Sequence, residues 1–293
     1  MTRVALLSNA RSGSSDDGVV AAIEEILKAL GSVASVAPES LDEFGPAVQR
    51  AAEACDLLVV AGGDGTFNRA LNELEDDLDQ IVLGLIPMGT GNDLARTLGL
   101  PPDPADAARA LLSGEERPLD VSRASGPGIS RLFANACMGG FPIEVNEAIG
   151  DDLKKRLGPF AFWVGGARAA ADITRYEVTL GDSVLTDCVA CGVGNGRTCG
   201  GGIEVWPDAD PSDGVLDGCG LAAEDLSDAL KLAAKVKSGD HVDLPGVQTI
   251  RGPKIEIASE PQMEFNVDGE LAGLKTPATF EVVSRMKIRV PPG

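Results

Sequence analysis

The chain has 293 residues, 44% hydrophobic and only 4% aromatic, which is long and apolar enough for a sizeable core and two domains. Its formal net charge of −20 argues against nucleic-acid binding, because phosphate backbones select basic surfaces. No run of about 18 apolar residues is present, so we expect no membrane-spanning helix. The chain opens on a strand pattern without a signal peptide, which predicts a cytoplasmic protein.

The first third of the chain alternates strand and helix patterns. The strands are predicted at residues 3–9, 33–36, 56–61 and 81–86. The helices are predicted at residues 17–30, 41–54, 68–78, 92–98 and 104–113. This alternation predicts a doubly wound α/β domain with a parallel sheet, whose ligands collect at the carboxyl ends of the strands.

The pattern changes near residues 124–130, where Ser-Gly-Pro-Gly indicates a linker. Strand patterns dominate beyond it, at residues 132–136, 176–180, 184–194, 215–221, 248–250, 254–258, 263–267 and 279–290. Helical patterns interrupt them at residues 153–173 and 223–237. We expect residues 1–125, joined by the tail 285–293, to form this α/β domain. Residues 126–284 should form a mainly antiparallel, β-sandwich-like second domain, with the ligand cleft between the two.

The most constrained motif is Gly62-Gly63-Asp64-Gly65-Thr66, between a buried strand and a helix. Glycines at such a turn let a phosphate approach the backbone, and the helix N-terminus directs N–H groups at it. Asp64 would repel a bare triphosphate, so a divalent cation or a substrate hydroxyl is expected between them. The alternative is a tight turn whose aspartate caps a helix.

Two further loops follow strands at the same edge of the predicted sheet, at residues 9–14 and 87–93. Small polar residues and glycines suit contacts with phosphate, although a plain turn with a helix cap explains either loop alone. Across the three loops, the candidate nucleotide contacts are Asn9, Arg11, Ser12, Gly13, Gly62, Gly63, Asp64, Gly65, Thr66, Asn68, Thr90 and Asn92. Together the loops predict a bound nucleoside triphosphate.

Two acidic turns lie in the second half of the chain. Several aspartates within residues 206–217 favour a hard cation, although an Asx-turn before a strand fits equally well. Asp268 and Glu270 flank a glycine at the end of an apolar strand, where a hairpin turn is the default interpretation. Because the other loops predict a bound nucleotide, these two acids become catalytic candidates.

Three other features of the sequence, a cysteine pair, a basic cluster and a single histidine, do not by themselves indicate a catalytic site. Cys188 and Cys191 form a C-x-x-C, but on a strand they would face opposite sides, so we expect buried, reduced thiols. The basic residues 154–156 beside the aromatic residues 160–163 indicate either a solvated helix end or contact with an anionic membrane surface. His241 is the single histidine, which argues against a histidine-based relay.

Together these motifs resemble the diacylglycerol kinase catalytic-domain family, in its small soluble bacterial lipid kinase branch, within a superfamily that includes sphingosine and ceramide kinases. The resemblance covers nearly the whole chain. The matching segments are residues 62–68, 87–93, 98–101, 117–120 and 135–141. One departure is Asn9-Ala10, where the family usually has Asn-Pro. NAD kinases share Gly-Gly-Asp-Gly but lack the Gly-Thr-Gly-Asn-Asp signature.

The resemblance implies ATP-dependent phosphorylation of a lipid hydroxyl, of diacylglycerol or a related glycerolipid, with Mg²⁺ as cofactor. It implies a structural Mg²⁺ held by Asp213, with Asp210 and Val215 contributing. It also implies that Glu270 accepts the hydroxyl proton, with Asp64 and Asp268 as the other catalytic candidates.

Two other functions stay open at this point. The acidic surface motivates a kinase of a soluble polyol or nucleotide, and a non-catalytic nucleotide-binding regulator is a third hypothesis. Retention of all three candidate acids argues against the regulator. A lipid kinase would meet its substrate peripherally at a membrane, and a homodimer through an exposed strand edge is compatible with the chain.

Overall fold

The computed structural model describes residues 2–8, 17–140 and 174–292. The chain divides into two compact units, unit 1 with Met1–Val121 and Ser284–Gly293, and unit 2 with Ser122–Val283. The predicted first loop at residues 9–14 lies outside the described residues, as does the predicted helix at 153–173 with its basic cluster. The predicted domain boundaries stay a prediction.

Unit 1 contains a parallel sheet. Its strands are β1 (Thr2–Ser8), β2 (Gly31–Val36), β3 (Leu57–Gly62) and β4 (Val82–Pro87). Its helices are α1 (Asp17–Leu27), α2 (Leu41–Ala54), α3 (Asp64–Glu73), α4 (Asp93–Thr97) and α5 (Pro104–Leu112). β1 pairs with β2 and β3, and β3 pairs with β4, always in parallel. All six residues of β3 are buried, as expected for a continuous apolar strand inside a parallel sheet.

The chain returns to unit 1 through its last strand. β15 (Ala278–Val290) begins in unit 2, and its residues 287–289 pair in parallel with residues 82–84 of β4. Within unit 1, Arg285 Nε donates to Oδ1 of the buried Asp120 at 2.6 Å. Arg289 Nε donates to the carbonyl of Leu111 in the last turn of α5 at 2.7 Å. These contacts complete the core of unit 1 with residues distant in sequence.

Unit 2 is dominated by antiparallel strands. They are β5 (Glu115–Gly126, which begins in unit 1), β6 (Ile129–Phe133), β7 (Ala136–Gly140), β8 (Tyr176–Leu180), β9 (Ser183–Gly194), β10 (Leu216–Ala222), β11 (Val247–Gly252), β12 (Lys254–Glu260), β13 (Glu264–Val267) and β14 (Glu270–Lys275). One helix, α6 (Leu226–Val236), is described here. The ladders within unit 2 are antiparallel, which confirms the predicted fold class.

Two predicted boundaries are wrong for local reasons. The segment at 124–130 is not a linker but the turn of the β5–β6 hairpin, in which Gly128 takes φ 78°. Helix α3 begins at Asp64 rather than Asn68, because Gly63 is already its N-cap. Strand β14 was not predicted, since Gly269 and Gly273 interrupt its apolar pattern.

The expectation that Cys188 and Cys191 face opposite sides of a strand is also wrong, because both lie in one hydrophobic cluster of unit 2. The pairing of β9 with β10 shifts register between Leu221 and Ala222, and Asp187 takes φ 53°. A bulge of this kind breaks the two-residue alternation of a strand. All six cysteines are free, and five are buried.

Candidate active site

The first part of the site is the start of helix α3. Its N-cap is Gly63, which has no side chain to bond the helix amides. The first helical hydrogen bond runs from Thr66 N to Gly63 O at 3.0 Å, so the amides of Asp64 and Gly65 precede it. Amides at a helix start, reinforced by the helix dipole, attract phosphate oxygens.

The second part of the site is the loop after β4, whose backbone lies directly against the backbone of the first part. A Cβ on Gly89 would lie 2.6 Å from Gly63 Cα, closer than real Cβ atoms come to another atom. Met88 N donates to Gly62 O at 3.0 Å, which ties the two loops together. Glycines are therefore required at positions 63 and 89 by the close approach of two backbones.

Asp64 binds the backbone of the second loop. Its Oδ2 accepts from Asp93 N and its Oδ1 from Leu94 N, both at 3.1 Å. The carboxylate therefore caps helix α4, a role that the N-cap residue Asn92 does not take itself. The alternative interpretation of the sequence, in which Asp64 caps a helix, is therefore correct. The helix that it caps is α4, which follows the second loop, and not α3.

Asn92 closes its own loop instead. It takes the left-handed conformation with φ 52°, which asparagine tolerates better than most residues. Its side chain accepts from Gly89 N at 2.9 Å and donates to Gly89 O at 2.7 Å. Gly89 and Thr90 are exposed at the tip of this ring. The loop is fixed before any ligand arrives.

The other predicted nucleotide contacts of unit 1 differ in how exposed their side chains are. Thr66 is half-buried in the first turn of α3, and Thr90 is exposed. Asn68 is buried, and its Oδ1 accepts from Asn72 Nδ2 at 3.2 Å. Its position in the packing of α3 is distinct from the exposed loop tips, and its contact with a nucleotide stays a prediction.

In unit 2, Asp268 lies in the turn between β13 and β14, where its backbone takes φ 47°. The residue is buried, and its Oδ1 accepts from Asn135 N at 3.0 Å and Ala136 N at 2.8 Å. Its Oδ2 accepts from Ala134 N at 2.9 Å. Three consecutive backbone amides, from the end of β6 to the first residue of β7, therefore surround one carboxylate. Burial, together with the negative charge of Asp268, raises the pKa of the Cys137 thiol well above its ordinary value.

Glu270 follows two residues later with a different environment. Its side chain is 40% exposed, and its Oε2 lies 4.0 Å from Arg131 Nη2. Gly269 between the two acids takes φ 84°, which turns the chain so that one acid is buried and the other open. Of these two predicted catalytic acids, Glu270 is the one that a hydroxyl group can reach.

The predicted metal ligands lie in the turn before β10. Asp210 Oδ1 accepts from Ser212 N at 3.0 Å and from Ser212 Oγ at 2.7 Å. Asp213 Oδ1 accepts from Val215 N at 3.1 Å. Carboxylate oxygens suit a hard cation such as Mg²⁺. The described residues contain no group of three or more His, Cys, Asp or Glu side chains able to hold a metal.

Arg251 on β11 was not foreseen from the sequence, yet it meets this turn. It pairs with Asp213 Oδ2, and its Nε donates to Asp217 Oδ1 at 3.1 Å. Burial raises the pKa of Asp217 above its ordinary value, against the opposing effect of Arg251. The guanidinium therefore occupies one oxygen that a cation would need. A metal role for Asp210, Asp213 and Val215 stays a prediction.

Comparison with known proteins now identifies the family. Residues 3–124 match the diacylglycerol kinase catalytic domain, and residues 137–290 match the YegS C-terminal NAD kinase beta sandwich-like domain. A protein of Stenotrophomonas maltophilia named "Probable lipid kinase YegS-like" is 33% identical over 265 residues, 86% of this chain and 85% of the relative. The chain belongs to the diacylglycerol kinase family. The family predicted from the motifs is confirmed.

Two more members of the diacylglycerol kinase family show how far the likeness extends. A diacylglycerol kinase of Staphylococcus carnosus is 30% identical over 228 residues, 77% of this chain and 73% of that protein. The crystal structure of a diacylglycerol kinase from Bacillus anthracis has a TM-score of 0.78 and 26% identity, and it covers 99% of this chain and 98% of that one. The match confirms the fold.

For this family member, the structure brings some predicted residues together and leaves others apart. Gly62, Gly63, Asp64 and Asn92 form one module of unit 1, and Asp268 and Glu270 share a turn of unit 2. Asn9, Arg11, Ser12 and Gly13 lie outside the described residues. Arg131 is a neighbour of Glu270 that sequence reasoning missed, because the two residues are far apart in the chain and only tertiary packing brings them together.

Proposed function

We propose that this protein is an ATP-dependent lipid kinase that phosphorylates a hydroxyl group of diacylglycerol or a related glycerolipid. The relatives support this proposal by their names, diacylglycerol kinase and lipid kinase. The observation that carries it is the orientation of the Asp64 carboxylate toward helix α4. It answers the objection that an acid within the glycine motif would repel a triphosphate.

Both oxygens of Asp64 accept N–H groups of the second loop, so its charge is offset there. The start of α3, with glycines on either side of Asp64, remains available to phosphate oxygens. The same carboxylate thus fixes the second loop against the first. We infer that the paired loops bind the phosphates of ATP, with Thr66 and Thr90 as further donors.

Glu270 is the proposed proton acceptor. The lipid hydroxyl oxygen forms a bond with the γ-phosphorus, the bond from that phosphorus to the β,γ-bridging oxygen breaks, and ADP leaves with the electron pair. The hydroxyl proton passes to the Glu270 carboxylate. Mg²⁺, when bound to the phosphates, neutralises the charge that develops on them. Asp268 fixes the turn in which Glu270 lies, because its carboxylate accepts from the backbone amides of residues 134–136.

No helix within the described residues is long and apolar enough to cross a membrane. For a lipid substrate we therefore expect peripheral contact with a membrane surface rather than insertion of these helices. The oligomeric state stays open, and the homodimer suggested from the sequence stays a prediction.

The test is transfer of label from γ-labelled ATP, with Mg²⁺, to diacylglycerol in mixed micelles. A total lipid extract and free glycerol serve as alternative acceptors, at low and high salt. We expect labelled lipid with the wild type and with Glu264→Gln, a matched change on the neighbouring strand β13. Glu270→Gln should give about 100-fold less label or lower. Labelled glycerol without labelled lipid would overturn the lipid assignment, and ATP binding without any transfer would indicate a regulator.

A further inference from the structure

Arg131 on strand β6 is the cation beside Glu270. Its Nη2 lies 4.0 Å from Glu270 Oε2, which is too long for a hydrogen bond, and its side chain is 38% exposed. Its Nε is buried and has no hydrogen-bond partner among the described residues. The guanidinium therefore reaches solvent at one end and leaves a donor unused at the other.

The fold itself does not explain this arginine. A buried donor without a partner destabilises the folded state, so a residue placed in this way calls for a reason outside packing. The neighbouring strand offers a contrast, since Arg123 Nη1 donates to Ser130 Oγ at 3.2 Å. A guanidinium presents a planar fork of donors that matches the oxygens of a phosphate group. Because Nε is buried, a phosphate beside the proposed proton acceptor would meet the terminal Nη1 and Nη2 groups of Arg131.

The charge balance at this turn points the same way. The chain carries a net charge of −20, and two carboxylates, Asp268 and Glu270, lie within three residues. Once the lipid oxygen held by Glu270 carries a phosphate, that phosphate adds further negative charge at the same place. Arg131 is the cationic side chain that lies beside this turn and could offset the charge of the phosphate.

Leu271 adds an apolar contact directly after Glu270. Its side chain is 50% exposed on β14, and Gly269 and Gly273 lie on either side of it. A Cβ added at either glycine would meet no atom within 4 Å in the described part of the chain, so the surface around the leucine is open. One exposed leucine is common on a protein surface, but here it adjoins the carboxylate that would receive a lipid proton.

We propose that Arg131 binds the phosphate group of the phosphorylated lipid and that Leu271 contacts its hydrocarbon chain. The segment formed by Arg131, Glu270 and Leu271 would then distinguish a lipid acceptor from a water-soluble one. The proposal rests on the proposed function, because it places the phosphorylated lipid at the acid that removes the proton.

The first experiment measures product inhibition. The phosphate monoester of diacylglycerol is added to the mixed-micelle kinase assay, with glycerol 3-phosphate and inorganic phosphate as water-soluble comparisons. Loss of a charged hydrogen-bonding partner should weaken inhibition of Arg131→Gln by the lipid monoester by about tenfold or more. Arg131→Lys keeps the charge without the fork and should fall between. Arg123→Gln is the matched control and should behave as the wild type.

The second experiment does not depend on catalysis. The protein is floated with phosphatidylcholine vesicles that are plain, contain phosphatidylserine, or contain the phosphate monoester of diacylglycerol. We expect the monoester vesicles to bind the wild type best, and Arg131→Gln to lose this preference. Leu271→Ser should lower binding to all three vesicles, whereas Val184→Ser, at another exposed aliphatic residue, should not.

The outcomes separate the two proposals. If the wild type phosphorylates no lipid but Arg131→Gln loses the preference for monoester vesicles, the proposed function fails and the binding site stands. If the wild type is an active lipid kinase and Arg131→Gln matches it in both experiments, the Arg131 proposal is overturned. Equal inhibition by soluble and lipid phosphates would remove the role of Leu271. Urea denaturation of each variant checks that the fold is retained.

Discussion

Asp64 in unit 1 and Asp268 in unit 2 use their carboxylates in the same way but in different surroundings. Asp64 is half-buried and accepts two amides at the start of a helix. Asp268 is buried and accepts three amides at the junction of β6 and β7. The first carboxylate orders an exposed loop, whereas the second is part of the interior. Removal of Asp64 should therefore weaken ligand binding with a modest loss of stability, whereas removal of Asp268 should mainly lower stability.

The comparison also shows that the aspartate most visible in each motif is not the group most accessible to a substrate. In both turns the carboxylate of the aspartate, Asp64 or Asp268, accepts hydrogen bonds from backbone amides. The groups left for a substrate are its neighbours, the amides of the glycine loop in one unit and Glu270 in the other. Substitutions at these acids test that division.

Glu270→Gln should give the largest effect. Loss of a general base typically lowers turnover by about 100-fold or more, whereas a partly exposed surface carboxylate changes the unfolding free energy by less than about 0.5 kcal/mol. Steady-state lipid kinase assays and urea denaturation measure the two quantities. A fully active Glu270→Gln protein would mean that another group takes the proton. Glu264→Gln on β13 provides the reference for an ordinary loss of charge.

Asp268→Ala should destabilise the protein by about 3 kcal/mol or more, because three buried amides lose their acceptor. Asp268→Asn keeps one acceptor oxygen and should lose less. Urea denaturation measures both, with Asp182→Ala in the exposed turn between β8 and β9 as the control. An unfolding midpoint of Asp268→Ala equal to that of the wild type would contradict the structural role.

Asp64→Ala should cost about 1–2 kcal/mol of stability, the usual effect of removing a helix cap. ATP affinity should fall with it, because the second loop is no longer held against the first. Calorimetric ATP binding and urea denaturation measure the two effects, and Asp76→Ala after α3 is the control. Unchanged ATP affinity and stability with lost turnover would instead make Asp64 a direct participant in the chemistry.

A third acid, Asp213, extends the comparison to the predicted metal turn. A cation there must displace Arg251 from Asp213, so binding should be modest. We expect Mg²⁺ to raise the wild-type melting temperature by a few degrees, roughly the effect of 1 kcal/mol, and not to raise that of Asp213→Ala. A wild-type melting temperature that does not respond to Mg²⁺ would argue against a metal at this turn.

The smallest expected effect is the acid sensitivity of unit 2, where the single histidine lies. His241 is buried, its Nε2 lies 3.1 Å from Val205 O, and burial lowers its pKa below the ordinary value of 6.5. The unfolded chain therefore takes up a proton first, so this contribution to stability is complete above pH 6.5 and is lost as the pH falls through the folded pKa.

Urea denaturation at about pH 7.5 and about pH 5.5 tests this effect, since a pKa difference of one unit is equivalent to about 1.4 kcal/mol. The wild type should lose more stability between the two values than His241→Gln, which cannot titrate. An equal loss in both proteins would assign the acid sensitivity to carboxylates.

The sequence predicted what depends on local pattern. The apolar run at 56–61 and the helical pattern at 41–54 were enough to place β3 within one residue and α2 at its observed bounds. It could not predict that Asp64 caps a helix beginning 29 residues later, or that Asp268 accepts from amides 132 to 134 residues earlier. Such partners are set by tertiary packing. The position of Arg131 beside Glu270 was missed for the same reason.

The return of β15 to unit 1 has a consequence for biosynthesis. The buried Asp120 meets Arg285 165 residues downstream, and the edge of β4 is covered by residues 287–289. While the ribosome is still translating unit 2, the nascent unit 1 has an uncovered strand edge and a carboxylate without its guanidinium. An open edge can pair with other chains. The unit that emerges first therefore completes its fold only after the last strand has been synthesised.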